Sequence, residues 1–194
     1  GFSERYGYLT ADVSNVGTGL RISVMMHLAG LAMIGAANRQ LRAAYDLGVS
    51  VRGLFGEGSR FVGDLYQVSN EVTLGLSETE IVRKVRTVAQ YLLGEERLAR
   101  KELLGGGRKS LVDSASKALQ TLQGRMSVPV EEALRLMSPI RLASSLGLVG
   151  SCPPSLMNSL LAGMRADKAG DSRACMERAA LLRHGLAEAN VRPA

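Results

Sequence analysis

A chain of 194 residues with a formal net charge of +6, most of it from arginine, can bury one sizeable core, or one core plus a small helical subdomain. Aromatic residues make up only 4% of it, so that core is expected to be built from Leu, Val, Ile, Met and Ala. Two cysteines, Cys152 and Cys175, are too few for a disulfide scaffold, and no apolar stretch is long enough to span a membrane. The basic balance comes without aromatic interleaving, helix-turn-helix or zinc-finger spacing, which argues against nucleic acid as the ligand. No charged-then-apolar leader opens the chain. A cytoplasmic or other reducing, soluble compartment is the expectation, with removal of an upstream targeting segment as the alternative.

In chain order, residues 5–26 read as strand, glycine turn and strand. Leu20, Ile22, Val24 and Met26 fall on one side of an alternating pattern, with Arg21, Ser23 and Met25 on the other. Residues 28–46 predict a helix ending at Gly48, and Val49 to Arg52 a strand that feeds a glycine-rich turn. Phe61 to Ser69 reads as a further strand, and Asn70 to Gly75 as a turn. Ser77 and Glu80 form a capping box. The helix after it carries an apolar stripe of Ile81, Val85, Val88, Leu92, Ala99 and Leu103, and Gly105-Gly106-Gly107 is expected to end it. Glu95 and Glu96 interrupt the stripe, and the helix's Arg and Glu residues read mostly as a solvated face.

Beyond Gly107 only helical patterns remain. One ends near Gly124, and a short one starts at Pro129 with Glu131 and Glu132 in its first turn. A third follows Pro153-Pro154, and a last covers residues 173–188. The fold class is therefore α+β, a partial antiparallel sheet flanked by helices, followed by an all-helical region. The division predicted is 1–105 and 106–194.

Two short pieces carry the chemistry. Asn15-Val16-Gly17-Thr18-Gly19-Leu20-Arg21 and Val51-Arg52-Gly53-Leu54-Phe55-Gly56-Glu57-Gly58-Ser59 each set one arginine beside glycine-containing backbone. Arginine presents a permanently charged fork that matches phosphate oxygens. Neither GxGxxG nor a Walker A pattern is present, so the dinucleotide and P-loop mechanisms do not apply. His27, His184, Cys152 and Cys175 have no metal-ligand spacing, and no metal site is expected from them.

The order of the pieces carries a resemblance. Gly7-Tyr8-Leu9-Thr10-Ala11, the Asn15 to Arg21 piece running on to Val24, His27-Leu28, Arg52-Gly53 through Gly58, and Ser69-Asn70-Glu71-Val72-Thr73-Leu74-Gly75 resemble the catalytic domain of the ATP:guanidino phosphotransferases. Within that family the likeness is to the bacterial protein-arginine kinases. It is strong over residues 2–103 and weaker through Ser138-Pro139-Ile140-Arg141-Leu142 and Glu177 to Arg183.

The resemblance implies an antiparallel sheet whose concave side binds nucleotide, with part of that sheet upstream of Gly1. It implies transfer of the γ-phosphoryl of MgATP to an arginine side chain, so ATP and Mg²⁺ are the implied cofactors. Arg21 and Arg52 match phosphate-clamping arginines, and Gln67 and Asn70 lie in a segment on the nucleotide side. Glu57 matches the carboxylate that contacts the guanidinium. Asp12 stands where the family places a reactive cysteine, and it can still attract a guanidinium. The Gly17–Gly19 turn is expected to admit the substrate closely. Of the family's C-terminal Arg-Asp-x-x-Arg-Ala motif only Arg178-Ala179 survive, with Ala174 and Cys175 in place of the Arg-Asp pair, so phosphoarginine sensing is not carried over. Implied partners are substrate proteins, a second copy, an activator protein and a Clp-type unfoldase. The alternative function is a non-catalytic relative acting as scaffold, adaptor or assembly subunit, its apolar helices in residues 110–190 making the contacts.

Overall fold

The computed structural model describes residues 1–53, 61–163 and 171–188. Residues Gly1–Phe61 with Leu65–Ala99 form one compact unit, and Val62–Asp64 with Arg100–Ala194 form a second.

The first unit opens with two short paired strands, β1 (Phe2–Ser3) and β2 (Gly7–Tyr8), and a 3-10 turn at Val13–Asn15. There follow β3 (Ser23–His27), α1 (Ala29–Met33), α2 (Ala37–Asp46), β4 (Val49–Gly53) and β5 (Leu65–Asn70). The three longer strands form one antiparallel sheet in the order β3-β5-β4. Successive side chains in a strand point to opposite faces. One face of this sheet, with Met26, Val49, Val51, Tyr66 and Val68, packs with Leu28, Leu31, Leu41 and Ala44 and with the stripe Val85, Val88, Leu92 and Ala99. That stripe belongs to α3 (Glu78–Glu102). Its capping box forms: Glu80 Oε2 accepts the Ser77 N–H at 2.8 Å, and the Glu80 N–H bonds to Ser77 Oγ at 3.3 Å. The Ser77 N–H first, and then the Ser77 hydroxyl, which donates to the same Oε2 at 2.7 Å, hold the Glu80 carboxyl below its ordinary range.

Several sequence expectations need correction. The helix expected over 28–46 is two helices, because Gly35, the residue after the Ile34 C-cap of α1, adopts φ 74°. The strand expected from Phe61 begins at Leu65, because Gly63 (φ 62°) and Asp64 (φ 54°) turn the chain first. Glu96 is not on a solvated face. It is 2% exposed, and its two carboxylate oxygens accept the Gly30 and Leu31 N–H groups at 2.9 Å each. An α1 that lacks a side-chain cap of its own thus gets its early amides satisfied from α3.

The fourth correction concerns Gly105-Gly106-Gly107. The helix does not stop there but passes through a π turn at Leu103–Gly107 into α4 (Arg108–Gly124). Glycine ends a helix by turning left-handed, and none of these three has positive φ. Buried Leu103 and Leu111 on either side keep the chain helical.

In the second unit, α5 (Val130–Ser145) is a full helix, longer than the short one expected, and it runs through Pro139. A proline inside a helix removes one hydrogen bond and crowds the preceding turn. Full burial of Ala133, Leu134, Met137 and Ile140 offsets that cost. Gly63 lies against α5 so closely that a Cβ would stand 2.6 Å from the Leu134 carbonyl oxygen, and Ser138 Oγ donates to Asp64 Oδ2 at 2.5 Å. Helices α6 (Pro154–Gly163) and α7 (Ser172–Glu188) complete this unit. From α7, Arg178 Nη1 donates to the Val128 carbonyl at 2.8 Å, while the Val128 N–H bonds to the Cys175 carbonyl at 3.1 Å. Burial pushes the Arg178 guanidinium below its ordinary range. Among the described residues, no helix is long and apolar enough to cross a membrane.

Candidate functional site

The sheet face opposite the core carries polar side chains. Arg52 and Met25 stand directly opposite Gln67, and Ser50 and Ser23 directly opposite Ser69. Gln67 Nε2 donates to Ser23 Oγ at 3.0 Å, and the Ser50 and Ser69 hydroxyls lie 2.9 Å apart. Ser50 and Ser69 are buried against each other, so the polar groups reachable on this face are the Ser23 hydroxyl, the Gln67 carboxamide and the Arg52 guanidinium, one on each of three strands, with Arg52 at the β4 edge.

Arg21 sits two residues before β3, in a segment tied down on both sides. Gly17 has φ 104°, and a Cβ there would lie 2.4 Å from the Thr73 carbonyl oxygen. The loop therefore lies flush against Thr73–Leu74. That oxygen also accepts the Thr18 N–H (3.1 Å) and hydroxyl (3.3 Å), and Thr73 Oγ1 donates to the Val16 carbonyl at 2.7 Å. The space expected to admit substrate beside Gly17 is thus filled by the chain's own backbone. Gly19, at φ 63°, has only ordinary contacts.

Asn70 finishes the clamp. It is 6% exposed; its Oδ1 accepts the Ile22 N–H at 2.8 Å, and its Nδ2 donates to the Leu20 carbonyl at 2.9 Å and the Val72 carbonyl at 3.4 Å. Its own N–H bonds to the Ile22 carbonyl at 3.3 Å. Ile22 packs against the core, so Arg21 belongs to the opposite, polar side. Its side chain is exposed and makes no hydrogen bond or ion pair among the described residues.

Asp12 is exposed and shapes the turn before the 3-10 segment through its main chain. Its N–H bonds to Thr10 Oγ1 at 3.2 Å, and its carbonyl accepts the Thr10 hydroxyl (2.5 Å) and the Asn15 N–H (3.0 Å). Glu57 lies outside the described residues. The structure thus joins Arg52, Gln67 and Ser23 in one strip, and Arg21 and Asn70 at one strand end. Ser23 and Thr73 are not singled out by the sequence. Their roles depend on strand register, which pairs residues about fifty positions apart and has no local signal.

The donor set suits the phosphates of a nucleotide, since guanidinium, carboxamide and hydroxyl groups can all donate to oxyanions. Among the described residues, no group of three or more His, Cys, Asp or Glu could hold a metal ion. Mg²⁺ keeps most of its coordination as water and substrate phosphate, so it fits this site as MgATP. In the helical unit, burial pushes the Cys152 thiol up, and nearby Arg141 opposes this only in part.

Hydroxyl, carboxamide and guanidinium groups stand on one face of a small antiparallel sheet, and comparison with known proteins gives the class. Residues 1–99 match the family model described as ATP:guanido phosphotransferase, C-terminal catalytic domain. The chain belongs to that family, whose use of ATP and Mg²⁺ is general. It is similar to the protein-arginine kinase of Halalkalibacterium halodurans, 44% identical over 160 residues, which is 82% of this chain and 45% of that protein. The corresponding protein of Symbiobacterium thermophilum is 40% identical over 179 residues, 92% of this chain and 49% of the relative. That of Clostridium acetobutylicum is 38% identical over 160 residues, 82% of this chain and 47% of the relative. The chain spans about half the length of these curated relatives.

Proposed function

We propose that this chain carries the nucleotide-binding part of a protein-arginine-kinase-type phosphotransferase, which moves the γ-phosphoryl of MgATP to the guanidinium of an arginine side chain. The observation that carries the reading is Arg21: exposed, unpaired among the described residues, held at the backbone, and on the same side of the sheet as Arg52. Bound MgATP supplies the phosphoryl group, and its metal neutralises charge on the phosphates. Arg21 and Arg52 hold phosphate oxygens, while Gln67 and Ser23 donate along the same strip. Glu57 and Asp12 attract and orient the incoming guanidinium. Catalysis of this kind rests on alignment and electrostatic stabilisation more than on covalent chemistry by the protein.

A carboxylate at Asp12, where relatives have a thiol, favours a second reading: a family member that binds nucleotide or partner proteins without transferring phosphate. Partner contacts, a second copy, an activator or an unfoldase among them, belong to the helical unit under either reading, and the exposed Met176 and Leu181 of α7 support this.

Calorimetric titration with MgATP tests the nucleotide site. Arg52→Ala is expected to weaken binding by about tenfold or more, as loss of a charge-assisted contact does. Arg108→Ala, at an exposed position of α4, is expected to leave it unchanged; equal effects would sink the phosphate role. Label from γ-labelled ATP appearing on protein arginine, and its acid lability, then separates the transferase from the binding-only reading.

A further inference from the structure

We infer that Asn70 is a positioning residue for Arg21, fixing the guanidinium's origin rather than touching nucleotide. The inference rests on the phosphate role of Arg21 given above. Two peptide groups flank the Arg21 Cα. The carbonyl of the first, Leu20 O, accepts from Asn70 Nδ2, and the N–H of the second, Ile22 N, donates to Asn70 Oδ1. One side chain therefore holds both torsions of Arg21.

The geometry has a clear cause. The β3–β5 ladder pairs Ser23 with Ser69, and the Asn70 N–H to Ile22 carbonyl bond adds one more step. Beyond that point the β5 chain turns away through Val72 and Thr73. The Asn70 carboxamide, which has the same donor and acceptor as a peptide group, continues the ladder where backbone no longer can. Without it, Leu20 O and Ile22 N would lose their partners, and Arg21 would swing on a free strand end.

Burial supports the assignment. Asn70 is 6% exposed, and both ends of its carboxamide are engaged with backbone, whereas Arg21 is exposed. A long arginine side chain loses much rotamer entropy on binding. Fixing its Cα in advance reduces what binding must order, which is how positioning raises affinity without a new contact.

The test is a double-mutant cycle on MgATP affinity, read by calorimetry, with Asn70→Ala and Arg21→Ala singly and together. Asn70→Ala is expected to weaken binding about tenfold in the wild-type background, the scale of one or two hydrogen bonds. In the Arg21→Ala background it is expected to cost less than about twofold. The same factor in both backgrounds would overturn the inference, since a direct ligand contact or a general loosening of the sheet gives additive losses.

Should Asn70→Ala fail to fold, Asn70→Asp keeps the side-chain size and the acceptor for Ile22 while losing the donor to Leu20. The same non-additivity is expected of it. Hydrogen exchange at the Ile22 amide reads the clamp without nucleotide. Faster exchange in either variant is expected, and unchanged exchange would overturn the clamp. If the wild-type chain binds no MgATP, the phosphate reading fails and takes this inference with it. If binding is present and Arg21-dependent but the cycle is additive, this inference fails alone.

Discussion

At the scale of single residues, Gly17 and Asn70 fix the backbone of the segment that carries Arg21. Gly17 brings two stretches of backbone into direct contact, at a φ of 104° that side chains rarely adopt. Gly17→Ala would set a Cβ 2.4 Å from the Thr73 oxygen and 2.8 Å from Leu74 Cα, both main-chain atoms that cannot rotate aside. It is expected to destabilise the chain by about 2 kcal/mol or more, from backbone strain and overpacking together. Thermal unfolding checks this, and a change within about 0.5 kcal/mol would show that the loop rests elsewhere. Part of this was legible. The asparagine-glycine-threonine spacing marked a tight turn, and Asn70 read equally well as turn chemistry. What could not be read is that the partners of Asn70 are Leu20 and Ile22, because nothing local to position 70 encodes the register of β5 on β3.

At the scale of elements, one residue type gives opposite outcomes. Gly35 ends a helix by turning left-handed, whereas Gly105, Gly106 and Gly107 stay right-handed within a helical stretch and form a π turn. Glycine permits both, so its presence could not decide; buried leucines beyond the triplet did. By contrast, the start of α3 was legible, because a capping box is a local motif whose two bonds need no distant partner. Glu96 was not legible, since the amides it serves lie more than sixty residues earlier. The triplet yields a prediction opposite in sign to that for Gly17. A Cβ on Gly106 would meet nothing within 4 Å, and its backbone already suits an L residue. Gly106→Ala is expected to stabilise the chain by about 0.5–1 kcal/mol, chiefly through the unfolded state. A lowered midpoint of thermal unfolding would mean the π turn depends on glycine for more than conformational freedom.

At the scale of the whole molecule, the proposed nucleotide strip and the buried Arg178 contact belong to different units. Arg178 is 7% exposed, and its Nη1 bonds to the Val128 carbonyl, which holds α7 on the segment before α5. Burial lowers its guanidinium's proton affinity, yet an arginine stays charged at any pH where the chain is folded, so this contact carries no pH dependence. Arg178→Met keeps most of the apolar stem and removes the charge. The Val128 carbonyl then loses a charge-assisted donor, which costs about 1.5–3 kcal/mol, partly offset because a desolvated charge goes as well. The expected outcome is a lower unfolding midpoint with MgATP affinity unchanged. Arg52→Ala should do the reverse, weakening MgATP while leaving the midpoint nearly where it was, since a half-exposed strand-edge arginine contributes little to burial. Measuring both quantities on both variants gives a crossed pattern if the two jobs are separate. Loss of MgATP affinity in Arg178→Met would instead show that the helical unit feeds back on the nucleotide strip, and the division of labour would have to be abandoned.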